Sequence, residues 1–253
     1  MPDTAQLTLL AGAGVIAGAV NAVAGGGSLI AFPVLIATGL SPLTANITNT
    51  ISQLPGYVSI VEGYRPDLKG QTPRIRTLVV PTVIGAFVGV ALLIWGGDSA
   101  FEAVVPWLVL IACALLALGP RIRAAMNARG GGSVATRLSP GLLLAVFASG
   151  AYASYFGAAA GVLLLAVLAL GIVDRLQRLN ALNRVLILVA NLVAAPALIL
   201  LGPIDWPSVA VLAPATLVGG AIGSRVARRL NDNVLRWSVI VLGLGVAVWL
   251  LVR

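Results

Sequence analysis

Asn46, Asn49, Gln53 and Tyr57 stand three, four and four residues apart inside an apolar stretch, so they share one face of a helix. Amide side chains are costly against lipid and must face a partner or a cavity. The pattern returns 134 residues later as Asn180, Asn183, Ile187 and Asn191, with Arg184 beside Asn183. A single asparagine in an apolar helix is usually interhelical glue, contributing ~0.6–2 kcal/mol. Two matched pairs on one face point instead to a polar cavity. Arg184 has two readings. In a cavity its planar fork of donors suits an oxyanion. At a cytoplasmic helix end it would snorkel, which is the reading that nearby Arg175 and Arg178 favour.

Two small-residue runs lie just ahead of these helices: Gly25-Gly26-Gly27-Ser28 and Gly157-Ala158-Ala159-Ala160. They interrupt apolar blocks at 7–40 and 139–172, each too long for one straight span and too short for two. Backbone groups freed in mid-membrane must be satisfied inside protein or in a water-filled cavity. Each block therefore reads as a hairpin with a longer and a shorter arm, the short arms starting near Ser28 and Ala160. A short helix starting there would aim its N–H groups and positive dipole end at the bilayer midplane, where they favour an anion. Close packing through small residues is the competing account. Tyr152, Ser154 and Tyr155 line the first arm of the second hairpin, either touching substrate or serving as packing aromatics.

Other repeated positions look like scaffold. Gly27 recurs as Gly161, and Thr82, Gly85 and Gly89 recur as Thr216, Gly219 and Gly223, a series that lets helices approach closely. Glu62 is the one acid clearly within an apolar run. It has the chemistry to carry a coupling proton, but it sits beside the basic loop 65–76, where an interfacial ion pair is the simpler role.

Much chemistry is excluded. The chain has no histidine and one cysteine, Cys113, so the commonest metal ligand, the usual proton shuttle and an intrachain disulfide are all missing. No phosphate-binding loop or catalytic dyad is present. We expect no catalytic residue, no metal and no cofactor. The net charge of +8 does not imply nucleic acid, because the basic residues fall in short loops between apolar segments.

The elements that must position these residues are membrane helices. Of 253 residues 59% are hydrophobic and 9% charged, and the mean hydropathy is +1.04. A soluble domain carries about 25% charged residues. After the first hairpin, 43–64, 74–96 and 101–119 are candidate spans; after the second, 180–202, 207–225 and 234–252. Residues 1–120 form a first membrane repeat, 121–138 a basic, glycine-rich cytoplasmic linker, and 139–253 a second repeat. No Lys or Arg precedes the apolar run near Leu7, so no signal peptide is expected.

Loop charge sets orientation. Loops 65–76, 120–138, 173–179 and 225–236 are basic, whereas 97–103 and 202–206 carry only acids. Basic loops belong in the cytoplasm. The assignments agree if each hairpin enters and leaves on one side and three crossings follow it. Both termini then lie outside, against the single charge of Arg253, and the second repeat is upside down relative to the first. Counting each hairpin arm gives ten membrane segments.

The stretch Gly18–Tyr57, GAVNAVAGGGSLIAFPVLIATGLSPLTANITNTISQLPGY, resembles the opening motif of the TauE/SafE sulfite-exporter family. There a glycine-rich break precedes an apolar stretch with a proline, here Pro33, and then an Ala-x-x-Thr-Ser/Asn element, here Ala45 to Asn49. FGAAAGVLLLAVLALGI, followed by RLNALNR, is similar to the family's C-terminal repeat, and so is GGAIGSRVARRL at Gly219–Leu230. The resemblance implies a bacterial inner-membrane permease for small anions such as sulfite or sulfonates, with Gly25–Ser28, Thr48 and Asn49 at or near the substrate path. The second copy departs from the first, with Leu182 where the first has Thr48.

Together these readings give an all-α integral membrane protein of two inverted-topology repeats, each a broken hairpin followed by three transmembrane helices. The expected activity is secondary transport of a small anion by alternating access. The expected site is Gly25, Gly26, Gly27, Ser28, Asn46, Thr48, Asn49, Gln53, Tyr152, Asn180, Asn183 and Arg184. Proton coupling and oligomeric state stay open. An anion channel or uniporter is the first alternative, and an intramembrane enzyme or assembly factor the second.

Overall fold

A computed structural model describes residues 4–23, 25–129 and 139–226, together with 240, 241, 244, 245, 247 and 248. Among the described residues there are eight α-helices and no strand: α1 (Thr4–Val23), α2 (Ser28–Ala37), α3 (Pro42–Gly63), α4 (Thr72–Arg129), α5 (Pro140–Tyr155), α6 (Ala160–Gly171), α7 (Leu176–Leu201) and α8 (Trp206–Val226). A short 3₁₀ turn, Arg65–Leu68, joins α3 to α4.

Both apolar blocks break where the small residues stand. Gly25 and Gly157 take φ of 77° and 75°, a region open to glycine at little cost. In each tip the glycine N–H bonds a carbonyl five residues back, Gly25 to Val20 and Gly157 to Tyr152. The chain then turns back. Gly171, at the end of α6, lies against Leu142 near the start of α5, so these arms are antiparallel. With 10 and 12 residues, α2 and α6 are about 15–18 Å long, roughly half the ~30 Å hydrocarbon core. Their N-termini thus lie deep in the protein.

Among the described residues, four segments are long and apolar enough to cross a bilayer: Ala5–Val23, Thr72–Gly119, Leu176–Leu201 and Trp206–Arg225. The 48 residues of Thr72–Gly119 exceed one crossing. The helix is broken at Gly97, where φ is 63° and ψ −168°, which separates the expected spans 74–96 and 101–119. The 22-residue α3 is long enough but not apolar enough to stand against lipid. Asn46, Thr48, Asn49, Ser52 and Gln53 on it are all buried.

The halves exchange their first arms: α1 packs along α8, and α5 along the first part of α4. The glycine series makes this possible. A Cβ added to Gly219 would sit 2.1 Å from the Val15 carbonyl oxygen, and one on Gly85 2.1 Å from that of Phe147. Gly223 and Gly89 meet Ala19 and Ala151 in the same way. The scaffold reading of this series agrees with these contacts.

The linker differs from its sequence reading in one respect. Residues 121–129 continue α4 as helix instead of forming a flexible connection, since Arg121–Arg129 contains no glycine or proline to stop it. Residues 130–138, most of 234–252 and Arg253 fall outside the described residues.

Candidate functional site

The two hairpin tips meet in the interior. A Cβ on Gly25 would lie 3.2 Å from the Cα of Gly161, so the backbones are in contact. Arg184 of α7 reaches this point. Its Nη1 comes within 3.2 Å of the Gly25 Cβ position and 3.1 Å of that of Gly161, and its Nη2 donates to the Ala22 carbonyl at 3.5 Å. The residue is 2% exposed. Of the two readings left open by the sequence, the fold takes the interior one and not the cytoplasmic snorkel. Arg175 is the N-cap residue of α7 and Arg178 lies in its first turn, while almost two further turns carry Arg184 inward.

An amide chain fixes the first tip. Asn21 Oδ1 accepts from the Gly27 N–H at 2.7 Å. Its Nδ2 donates to Gln53 Oε1 at 3.0 Å and, more weakly, to the Tyr57 hydroxyl at 3.5 Å. Gln53 Nε2 in turn donates to Asn49 Oδ1 at 3.3 Å. Ser28, the first residue of α2, and Tyr57 are both buried here. Gly27 has no room for a side chain, because a Cβ would stand 2.0 Å from the Ala17 carbonyl oxygen. Gly26 abuts Leu116 of α4.

The second tip is held differently. Asn183 Nδ2 donates to the Gly161 carbonyl at 2.8 Å, and its Oδ1 is buried with no hydrogen-bond partner among the described residues. The Tyr152 hydroxyl donates to the Ala158 carbonyl at 2.6 Å, closing the tip on itself. Phe156 meets Phe32 of α2 edge to face, with centroids 5.5 Å apart.

Gly25, Gly26, Gly27, Ser28, Asn49, Gln53, Asn183 and Arg184 are therefore brought together around the tips. Asn46 sits one step away, its Nδ2 donating to the Tyr155 carbonyl at 2.9 Å. Asn180 is half-buried, and its Oδ1 lacks a hydrogen-bond partner among the described residues. Two residues point elsewhere. Thr48 Oγ1 accepts from the Asp205 N–H at 3.1 Å, tying α3 to the α7–α8 loop. Tyr152 is spent on its own tip. Asn21, Tyr57 and Gly161 join the cluster without having been singled out as site residues. The signal for Asn21 was available: an amide deep in an apolar segment, just ahead of the glycine run.

A charged cluster closes one end of the bundle. Arg74 of α4 pairs with Asp174 in the α6–α7 loop, and Arg178 Nε reaches the same Asp174 oxygen at 3.2 Å. Arg178 also donates to the Lys69 carbonyl, and Gln71 to the carbonyls of Asp67 and Arg178. Burial pushes the Asp174 carboxyl up. Hydrogen bonds from Arg74, the Arg175 N–H and Arg178, with the charge of Arg178, outweigh it and hold the group below its ordinary 3.8. Glu62 is exposed and pairs with Arg65 at 3.1 Å.

Chemically, the tip cluster combines a permanent cation, the positive ends of α2 and α6, and neutral amides and hydroxyls. Such a set can hold an anion and desolvate it. Among the described residues no group of three or more histidine, cysteine or acidic side chains is placed to hold a metal ion.

The chain is similar to a probable membrane transporter protein of Haemophilus influenzae, 27% identical over 242 residues, 93% of this chain and 91% of the relative. It is 24% identical over 234 residues to the probable membrane transporter protein YfcA of Escherichia coli K12, covering 90% and 82% of the two chains. It is 25% identical over 255 residues to the probable membrane transporter protein ORF9 of a Sinorhizobium species, covering 97% and 92%. The model of the sulfite exporter TauE/SafE family matches residues 10–250, and the chain belongs to that family of membrane transport proteins.

Proposed function

We propose that this protein is a secondary transporter that carries a small anion, a sulfur oxyanion or sulfonate such as sulfite, across the bacterial inner membrane. One observation carries the reading: Arg184, 2% exposed, lies where the N-terminal ends of two half-length helices meet. Each helix end favours a nearby anion by ~0.3–1 kcal/mol at a surface and by up to ~2 kcal/mol when partly buried. The guanidinium adds a directional fork of donors. An anion entering between Gly25 and Gly161 would meet all three.

The mechanism we infer is alternating access by two inverted repeats. The exchange of α1 and α5 between the halves supports a paired arrangement, and the loop charges support the inversion. With the basic loops in the cytoplasm, Arg74, Asp174 and Arg178 join both repeats on that side, so this conformation is closed inward. Transport then requires the network to part and the tips to separate around Arg184. With Glu62 exposed, a buried carboxylate relay through that residue is not part of the proposal.

The test is transport of radiolabelled sulfite by purified protein in proteoliposomes. Arg184→Gln keeps most of the volume and several donors but loses the charge; it should lower the rate at least a hundredfold while the protein still elutes as a folded species. A variant that transports normally would sink the site. Accumulation against a gradient when a proton gradient is imposed separates a coupled carrier from a channel.

A further inference from the structure

Away from the tips, α3 and α8 run side by side in the same direction: Gly56 packs on Thr216, and one end further on Gly63 packs on Ser224. Where both helices end, a cavity of about 530 Å³ opens between them, lined by Ser59, Glu62, Gly63, Ala221, Ser224 and Arg225. That volume lies within the roughly 300–1,000 Å³ typical of small-molecule sites. Three features define what fits it. Arg225 supplies a cation in the last turn of α8. Glu62 supplies a carboxylate, exposed and paired with Arg65. The carbonyl ends of the two parallel helices add negative potential, which Arg225 offsets at the end of α8.

The surface beside the cavity is apolar. Val58, one turn before Glu62, is 52% exposed, and Val218 and Ile222, leading toward Arg225, are 49% and 48% exposed. In a membrane protein this stripe faces acyl chains. The charged cavity thus lies at the end of two helices that expose apolar side chains.

We propose that this cavity is a binding site for a glycerophospholipid whose headgroup carries both a phosphodiester and a primary ammonium. The phosphate sits against Arg225, the ammonium against Glu62 and the helix carbonyl ends, and the acyl chains lie along Val58, Val218 and Ile222. An ammonium can satisfy the Glu62 oxygen that Arg65 does not reach, which a purely anionic headgroup cannot do.

The full chain, delipidated in detergent, is titrated with phosphatidylethanolamine, phosphatidylglycerol and soluble glycerophosphoethanolamine, with thermal shift and native mass spectrometry as readouts. Neither needs a transport substrate, so failure here is distinguishable from failure of the transport reading. We expect phosphatidylethanolamine to bind at least tenfold more tightly than the other two. Arg225→Gln should weaken both diacyl lipids, whereas Glu62→Gln should weaken phosphatidylethanolamine alone, about tenfold. Both residues are exposed, so the variants should match the parent in lipid-free melting temperature. Equal binding of the two diacyl lipids, or insensitivity to Glu62→Gln, overturns the proposal. So does soluble headgroup binding as tightly as intact lipid, which would reassign the cavity to a free phosphoester.

Discussion

The two hairpin tips occupy corresponding places, but the residue just before the short helix plays a different part in each. In the first, Gly27 precedes α2 with ordinary helical angles, φ −60° and ψ −29°; glycine is required there because the Ala17 carbonyl oxygen fills the side-chain space. In the second, Ala159 precedes α6 with φ 56°, the left-handed region where an L-residue costs about 1–2 kcal/mol and glycine would be at ease. The first tip sacrifices a side chain to bring backbones together and anchors itself with amides. The second keeps its methyl groups and is held by fewer polar contacts, the Asn183 amide on the Gly161 carbonyl and the Tyr152 hydroxyl on the Ala158 carbonyl, together with the packing of Phe156 against Phe32. A glycine in the sequence therefore need not mark an unusual dihedral angle, and an unusual dihedral angle need not carry a glycine.

The sharpest way to break this comparison is to exchange the two residue types. Gly27→Ala must displace α1 from α2 and should cost at least ~3 kcal/mol, the upper end for overpacking a tight core. In practice this means loss of the folded species on size exclusion. Ala159→Gly should do the reverse, leaving stability unchanged or raising it by up to ~1 kcal/mol after the added unfolded-chain entropy is offset. Thermal unfolding of both variants in one detergent decides. Similar destabilisation by both would mean that the tips share one design.

The next effect separates polar from apolar anchoring. Asn21 holds the Gly27 N–H and Gln53 at once, in surroundings where Asn21 is 2% exposed. Asn21→Ala orphans two buried groups, each costing about 1–3 kcal/mol. Transport should fall at least tenfold even where the variant is recovered intact, since Gly27 and Gln53 no longer have fixed positions. A stable variant with parental transport rates would remove the amide chain from the site.

How much of this was legible follows from the kind of signal each feature leaves. The breaks at Gly25 and Gly157 and the starts of α2 and α6 at Ser28 and Ala160 were readable, because helices ending in mid-block leave composition marks. The grouping of Asn49, Gln53, Asn183 and Arg184 was readable in part, because spacing fixes which residues share a helical face. Spacing does not fix depth. Thr48 shares a helix with Asn49, yet one residue of rotation turns it to the Asp205 N–H. Nor does composition reveal contacts between helices far apart in sequence: nothing local pairs Gly25 with Gly161, or Arg74 with Asp174. The depth of Arg184 was obscured by two other arginines less than three turns away.

The comparison extends to the loops that follow the short arms. After α2, Ser41 caps α3 by accepting from the Thr44 N–H and touches Asp98. After α6, Arg175 provides no side-chain cap, and Asp174 gathers Arg74 and Arg178 instead. Because the Asp174 carboxyl is held below 3.8, its stabilising contribution is complete above that pH and is lost as pH falls through the lower folded-state value. Asp174→Asn should therefore melt at a lower temperature than the parent near neutral pH. The gap should stay constant between about pH 5 and 8 and close only in strong acid. A gap that closes between about pH 6 and 7 would assign the coupling to another group.

The smallest expected effect falls on the second tip. Tyr152→Phe removes one hydroxyl that donates to the Ala158 carbonyl at 2.6 Å and leaves the ring in place. The lost hydrogen bond is worth about 0.5–1.5 kcal/mol, so a modest drop in melting temperature is expected. Transport should change less than twofold, since Tyr152 serves its own tip and the anion path runs past Arg184. If this variant instead lost transport as fully as Asn21→Ala while remaining folded, the tyrosine would have to leave Ala158 during the cycle. The second tip would then be the moving one, and the first the fixed one.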